Sequence, residues 1–140
     1  MGKLFLYFLA LFYGMVTNFR NFLYDFKILK SAEFDIPVIS VGNIMVGGTG
    51  KTPHIEYLIR LLDPLFRVAV LSRGYLRKTR GFRLVETSSS VEESGDEPLQ
   101  VKRKFPGIAV AVCEDRVTGV RELLQMKNPP DVVLLDDAFQ

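Results

Sequence analysis

The sequence is poor in the residues that build metal clusters and disulfides. It holds one cysteine, Cys113, and one histidine, His54. A single cysteine forms no internal disulfide, and one histidine beside it makes no cluster of metal ligands, so disulfide scaffolds and zinc modules are excluded. The lone thiol fits a reducing, cytosolic compartment. No Asn-Lys-x-Asp guanine signature occurs. The aromatic run from Leu4 to Val16 is uncharged for 13 residues, short of the roughly 17 to 25 that cross a bilayer. It also lacks the basic lead and small-residue cleavage site of a secretory signal, since Asn-Phe-Arg-Asn follows it. Net charge is only +2. What is present is a globular composition, 48% hydrophobic and 24% charged over 140 residues, enough for one ordinary domain with a buried core.

Charge is unevenly distributed along the chain. Between Arg60 and Arg83 lie seven basic residues (Arg60, Arg67, Arg73, Arg77, Lys78, Arg80, Arg83) against one acid, Asp63, and the following block to Glu97 is acidic, with Glu86, Glu92, Glu93, Asp96 and Glu97. Two readings follow: solvated loops that attract each other, or a basic rim for an anionic substrate beside an acidic metal site.

The N-terminus is a separate region, residues 1–35, because nine of the sixteen aromatic residues fall within its first 26 positions. Met15, Phe19, Phe22 and Phe26 recur at helical spacing, with Asn18, Arg20, Asn21 and Asp25 on the other side. An amphipathic helix is expected there. Its Phe and Tyr content, with Lys3, Arg20, Lys27 and Lys30 against Asp25, suits a membrane interface carrying anionic lipid. A helix packed on protein is the competing reading.

From Ile36 the pattern changes to an α/β nucleotide-binding domain, residues 36–140. "IPVISVGN" reads as a strand, "NIMVGGTGKTP" as a glycine loop, and "TPHIEYLIRLL" as a helix with Ile55, Leu58, Ile59 and Leu62 inward. Strand, loop and helix are the context a phosphate-binding loop needs, because loop amides and a helix N-terminus converge on phosphate oxygens. Gly47, Gly48, Thr49 and Gly50 would form the cradle. Lys51 would reach the outer phosphates and Thr52 would give its hydroxyl to Mg²⁺. Pro53 is harmless in a first helical turn. The standard loop has glycine where Met45 stands, and the partitioning-ATPase variant has lysine where Val46 stands. Further strands are expected at Val68–Leu71, "IAVAVC" and Val132–Leu135, and helices from "GDEPLQVKRKF" and from "DRVTGVRELLQMK" with Val117, Val120 and Leu124 inward. The last strand ends in Asp136 and Asp137, the carboxylates a Walker B element presents to Mg²⁺. The arginine-rich stretch Arg73–Gly81 leaves a strand's carboxyl end, the edge at which open α/β sheets bind ligands.

"SVGNIMVGGTGKTP", "LSRGY", "SGDEP", "EDR" and "LDDAFQ" in that order, preceded by "NFRNFLYD", resemble the tetraacyldisaccharide 4'-kinases, the lipid A kinases of Gram-negative bacteria. The resemblance implies a P-loop NTPase-like fold, a mostly parallel sheet flanked by helices behind an aromatic amphipathic helix. It implies ATP- and Mg²⁺-dependent phosphorylation of the 4'-hydroxyl of an acylated disaccharide 1-phosphate. The implied partners are that lipid and the cytoplasmic face of the inner membrane, with no nucleic acid. It further implies Asp96 as catalytic base, Glu97 near the metal, Asp136 and Asp137 as the second catalytic motif with Asp137 on the metal, and Arg73 and Arg116 as substrate contacts. Ala138 stands where the family usually has glycine. Family members are longer and add a histidine from their later half, so the sequence is expected to be an N-terminal portion, inactive alone. A membrane-associated switch ATPase of the partitioning type is the rival reading, and Val46 counts against it.

Overall fold

The computed structural model describes residues 2–26, 28, 32–42 and 51–136, without the side chains of residues 2–5, 51 and 52. The chain divides into two units, Met1–Glu33 and Phe34–Gln140. The expected boundary after residue 35 lies two positions later, because Phe34 and Ile36 are partly buried against a core cluster of the second unit.

The first unit is a single helix, α1 (Gly2–Asp25). The uncharged run and the amphipathic stretch are continuous in it, so the helix starts well before the expected periodic segment. Thr17 turns its hydroxyl inward to the helix, donating to the carbonyls of Tyr13 and Gly14 at 3.0 and 2.9 Å. Phe22 and Phe26 stack one turn apart with ring centroids 4.2 Å apart. Most of its large apolar side chains lie open, Phe8 at 80% and Tyr7 at 73% exposure. Among the described residues no helix is long and apolar enough to cross a membrane.

The second unit is built from β1 (Val38–Val41), α2 (Lys51–Leu62), β2 (Val68–Ser72), β3 (Arg83–Leu84), α3 (Val91–Ser94), α4 (Asp96–Lys104), β4 (Ala109–Val112), α5 (Arg116–Leu124) and β5 (Val132–Asp136). The strands form one sheet in the order β1-β5-β2-β4-β3. All pairings are parallel except β3 on β4. Parallel neighbours require crossovers, and right-handed crossovers fix the layers. The steps β1 to β2 and β2 to β4 run one way along the sheet, while β4 to β5 steps back across β2. Helix α5 therefore covers the face opposite α2 and α4.

The buried side chains obey that division. Val68 and Val70 of β2 join Ile55 and Ile59 of α2 and Leu99 and Val101 of α4 in one cluster. The alternate residues Ala69 and Leu71 join Val120 and Leu123 of α5 in the other. Each fully buried leucine or isoleucine contributes about 1.5–3 kcal/mol. Helix α5 begins at a cap, where the Asp115 carboxylate accepts the Thr118 amide at 2.9 Å. Its inner face is Gly119, Val120 and Leu123, with Val117 and Leu124 only half-buried. Gly119 explains this rotation from the expected face: a Cβ there would meet Leu71 Cδ2 at 2.6 Å and Cys113 Cβ at 3.0 Å. Leu71 is fully buried and has nowhere to swing. Gly119→Ala is expected to destabilise the second unit by about 1–3 kcal/mol through overpacking, read as a lower midpoint in urea unfolding; an unchanged midpoint would show that α5 is not held this close.

The amino ends of β2 and β5 are tied by an ion pair. Arg67 donates through its amide and Nε to Asp131 Oδ2 at 2.8 and 3.0 Å and through Nη2 to Oδ1 at 2.6 Å. The hydrogen bonds of this guanidinium bring the Asp131 carboxyl down from 3.8 to about 2. A depressed carboxyl stabilises the fold above its unfolded pKa, and that contribution is lost as pH falls through the folded value. The acid-unfolding curves of the protein and of Asp131→Asn should therefore differ above pH 4 and converge between pH 4 and 2. A gap that persists below pH 2 contradicts this origin.

Candidate active site

Crossover helices run back against the strands, so the amino ends of α2, α4 and α5 and the carboxyl ends of the strands share one edge of the sheet. The register sets out that edge: Val41, the last residue of β1, pairs with Asp136, the last of β5. Adjacent strands lie about 4.8 Å apart, so the chain leaves β1 toward the glycine loop directly beside the Asp136 backbone. Asp136 is 4% exposed. Residues 43–50, with Gly47, Gly48, Thr49 and Gly50, lie outside the described residues, as do Asp137 and Ala138. The chain re-enters at Lys51, where α2 begins, with Thr52 second and Pro53 in the tolerated first turn.

Arg116 opens α5 and braces the strand ends. Its Nη1 donates to the Cys113 carbonyl at 3.0 Å and its Nη2 approaches the Asp136 carbonyl at 3.5 Å. The guanidinium is thus held over the ends of β4 and β5, with its charge beside Asp136. Arg73 follows β2 and is exposed at the same edge.

Asp96 and Glu97 occupy the first turn of α4, exposed, where carboxylates complement the helix dipole. Gly95 is the N-cap, with a positive φ of 86°. The Asp96 carboxylate accepts the neighbouring Glu97 amide at 2.9 Å. A Cβ on Gly95 would lie 3.1 Å from the Tyr75 carbonyl, so the turn that presents Asp96 is packed against the arginine-rich loop. The expected residues Asp96, Glu97, Arg73, Arg116 and Asp136, together with the start of α2, all fall on this edge.

Ion pairs support the reading of the charge blocks as loops that attract each other. Lys78 pairs with Glu92 at 2.8 Å and Arg83 with Glu93 at 2.5 Å, as mutually attracting loops would. Arg77 is different: its side chain is 2% exposed and pairs with Glu114 at 2.8 Å. Burial opposes the charge on Glu114, but its own amide, the Gly81 amide and Arg77 outweigh that and hold the carboxyl below its ordinary value. Nothing in the sequence singles out Arg77 among its basic neighbours. The only local sign is Gly74, at φ 73°, where a Cβ would come 2.5 Å from Arg77 Cδ. A groove of ≈ 720 Å³ lies along residues 73–80 and Glu114. A second, of ≈ 630 Å³, lies around Arg67 and Asp131 at the opposite, amino edge and contains none of the expected residues. No group of three or more metal-ligating side chains occurs among the described residues.

A mostly parallel sheet whose first strand runs through a glycine loop into a helix, beside a strand tipped with aspartate, defines a P-loop nucleotide-binding fold. The sequence profile of the family described as Tetraacyldisaccharide-1-P 4'-kinase matches residues 2–140. The chain is similar to the tetraacyldisaccharide 4'-kinase of Flavobacterium psychrophilum, with 57% identity over 131 residues, covering 94% of this chain and 38% of that protein. Similarity to the Parabacteroides distasonis enzyme of the same name is 57% over 130 residues, 91% and 35% of the two chains. The crystal structure of LpxK from Aquifex aeolicus in complex with ATP superposes with a TM-score of 0.77 at 46% identity, covering 92% of this chain and 42% of that one. The chain belongs to the tetraacyldisaccharide-1-P 4'-kinase family. It spans a little over a third of the length of these relatives. None of these similarities supports a partitioning-type switch ATPase.

Proposed function

We propose that the chain carries the nucleotide half of an ATP-dependent kinase that phosphorylates the 4'-hydroxyl of a tetraacyldisaccharide 1-phosphate. One observation carries this reading: the register that sets Asp136 beside the exit of β1, in a chain 46% identical to a relative crystallised with ATP. The residues at the edge fit Mg²⁺-ATP, since a buried carboxylate at a strand end and the amino end of α2 suit a hard cation and an anion respectively. Bound there, Mg²⁺-ATP supplies the phosphoryl group.

The chain's own residues supply positioning and charge. Amides of Gly47 to Gly50 and the Lys51 ammonium would hold phosphate oxygens, while the Thr52 hydroxyl and a carboxylate of the Asp136–Asp137 pair would hold the metal, with Glu97 near it. Asp96 accepts the proton of the attacking hydroxyl. Arg116, beside Asp136, balances the negative charge of the reacting groups, and Arg73 contacts the acceptor. Exposed Phe, Tyr and Leu side chains on α1 support a helix lying in the cytoplasmic face of the inner membrane, where such rings sit at headgroup level. Removing residues 1–30 is expected to reduce binding to anionic vesicles to background in a sedimentation assay; equal binding rejects the membrane role.

The activity is tested by joining residues 1–140 to the remainder of the Flavobacterium psychrophilum enzyme and supplying ATP with acylated disaccharide 1-phosphate in detergent. Acceptor-dependent release of ADP with a new 4'-phosphate is expected. Turnover that needs no lipid acceptor, or ATP-driven dimerisation without transfer, contradicts the kinase reading.

A further inference from the structure

We propose that the groove along residues 73–80 and Glu114 is a second phosphate site, which takes the phosphomonoester that the disaccharide already carries, with Arg73 and Arg80 as its ligands. The inference rests on the kinase reading and extends it to how the acceptor is held.

The charge pattern selects the ligand class. Four cations line the groove, Arg73, Arg77, Lys78 and Arg80, against one acid, Glu114. Two of the four are spoken for, Arg77 by Glu114 and Lys78 by Glu92. Among the described residues Arg73 and Arg80 make no ion pair, and both are exposed. Two uncompensated guanidiniums in one groove match a phosphomonoester, which carries close to two negative charges at neutral pH. Guanidiniums also bind phosphate oxygens with forked, paired hydrogen bonds.

The groove wall is organised without a ligand. The Arg77 guanidinium donates through Nη2 to the Gly81 carbonyl at 2.6 Å and through Nη1 to Thr79 Oγ1 at 3.3 Å. Glu114 returns to the same loop, accepting the Gly81 amide at 2.9 Å. Thr79 Oγ1 donates to the Glu93 carbonyl at 2.6 Å, and the Lys78 amide to the Glu92 carbonyl at 2.7 Å. Gly74 leaves the space that Arg77 fills. One donor is left over: Arg77 Nε is buried and has no hydrogen-bond partner. A buried donor left unmade costs about 1–3 kcal/mol, so this guanidinium belongs to the groove wall and leaves ligand contacts to Arg73 and Arg80.

Position argues for the substrate's phosphate rather than the nucleotide's. The nucleotide loop leaves β1, and β2 and β4 are two and three strands away, about 10 and 14 Å at the usual spacing. The basic loop starts at the end of β2 and is fastened to Glu114, just past β4. Its near end packs on Gly95, beside Asp96. A 4'-hydroxyl and a 1-phosphate lie at opposite ends of a disaccharide, so a hydroxyl delivered to Asp96 leaves the phosphate to be bound in the groove that this loop forms.

The test uses backbone amide shifts of the 140-residue chain titrated with three probes: glucosamine 1-phosphate, ATP with Mg²⁺, and phosphatidylglycerol vesicles. Glucosamine 1-phosphate is expected to bind saturably, moving residues 73–81 and 114, and Arg73→Gln with Arg80→Gln to weaken it at least tenfold while ATP still moves residues 43–52. Unphosphorylated glucosamine should move nothing. The proposal is overturned if the sugar phosphate leaves 73–81 unmoved, or if the double variant binds it equally well. It is equally overturned if these amides answer to ATP or to the vesicles instead of the sugar phosphate. Failure of ATP to move residues 43–52 counts separately, against the kinase reading itself.

Discussion

Lys51→Ala is expected to weaken ATP binding by about 2–4 kcal/mol, roughly 30- to 1,000-fold in dissociation constant. Lys51 is the first residue of α2, directly after the glycine-rich stretch, where its ammonium would meet the most charged part of the proposed nucleotide. Its loss would leave phosphate charge uncompensated by the one ammonium of the motif. The fold should not notice: the α2 side chains that fill the core are Ile55 and Ile59, one and two turns further on. Calorimetric titration with ATP, alongside urea unfolding without nucleotide, separates the two effects. Equal ATP affinity in the variant would remove Lys51 from the site.

Asp96→Ala, in residues 1–140 joined to the remainder of the Flavobacterium psychrophilum enzyme, is expected to lower kcat by about 10²- to 10⁴-fold, the usual contribution of a positioned proton acceptor. ATP affinity should stay within about threefold. A purely structural Asp96 predicts a different outcome. It is exposed, and its one described hydrogen bond is to the adjacent Glu97 amide, so removal costs the fold about 1 kcal/mol, the net worth of one hydrogen bond. Asp96→Asn keeps that hydrogen bond and its size while losing the basicity, and should be as inactive as alanine. Recovery of turnover with asparagine would show that shape and not proton transfer is what the position supplies.

The two substitutions probe opposite ends of one edge, and the sequence marks that edge unevenly. The buried strands were readable because parallel strands covered on both faces become continuous aliphatic runs: Val68–Leu71 and Val132–Leu135 were expected, and Val68–Ser72 and Val132–Asp136 are found. The α2 face was readable from its spacing, with Ile55 and Ile59 fully buried. What escaped is set by tertiary contact. Strand β3 is only Arg83 and Leu84, too short to show alternation, and exists because β4 offers it a partner. The tilt of α5 toward Leu123 follows from the gap at Gly119, which no periodicity records. The adjacency of β1 and β5, which sets Asp136 beside the exit of β1, joins residues about a hundred positions apart in the chain. Arg77 looks like any other cation in its run until Gly74 and Glu114 close around it.

The amides of residues 47–50 and Lys51 on the phosphates, and Thr52 with the aspartates ending β5 on the metal, are expected to act on one bound Mg²⁺-nucleotide. A crystal structure of the chain with a non-hydrolysable ATP analogue and Mg²⁺ tests it most directly. The triphosphate is expected to be enclosed by residues 47–52, with the Thr52 hydroxyl and an Asp136 or Asp137 carboxylate bound to the metal directly or through one water. A nucleotide seated elsewhere, or both carboxylates turned away from the metal, would contradict it.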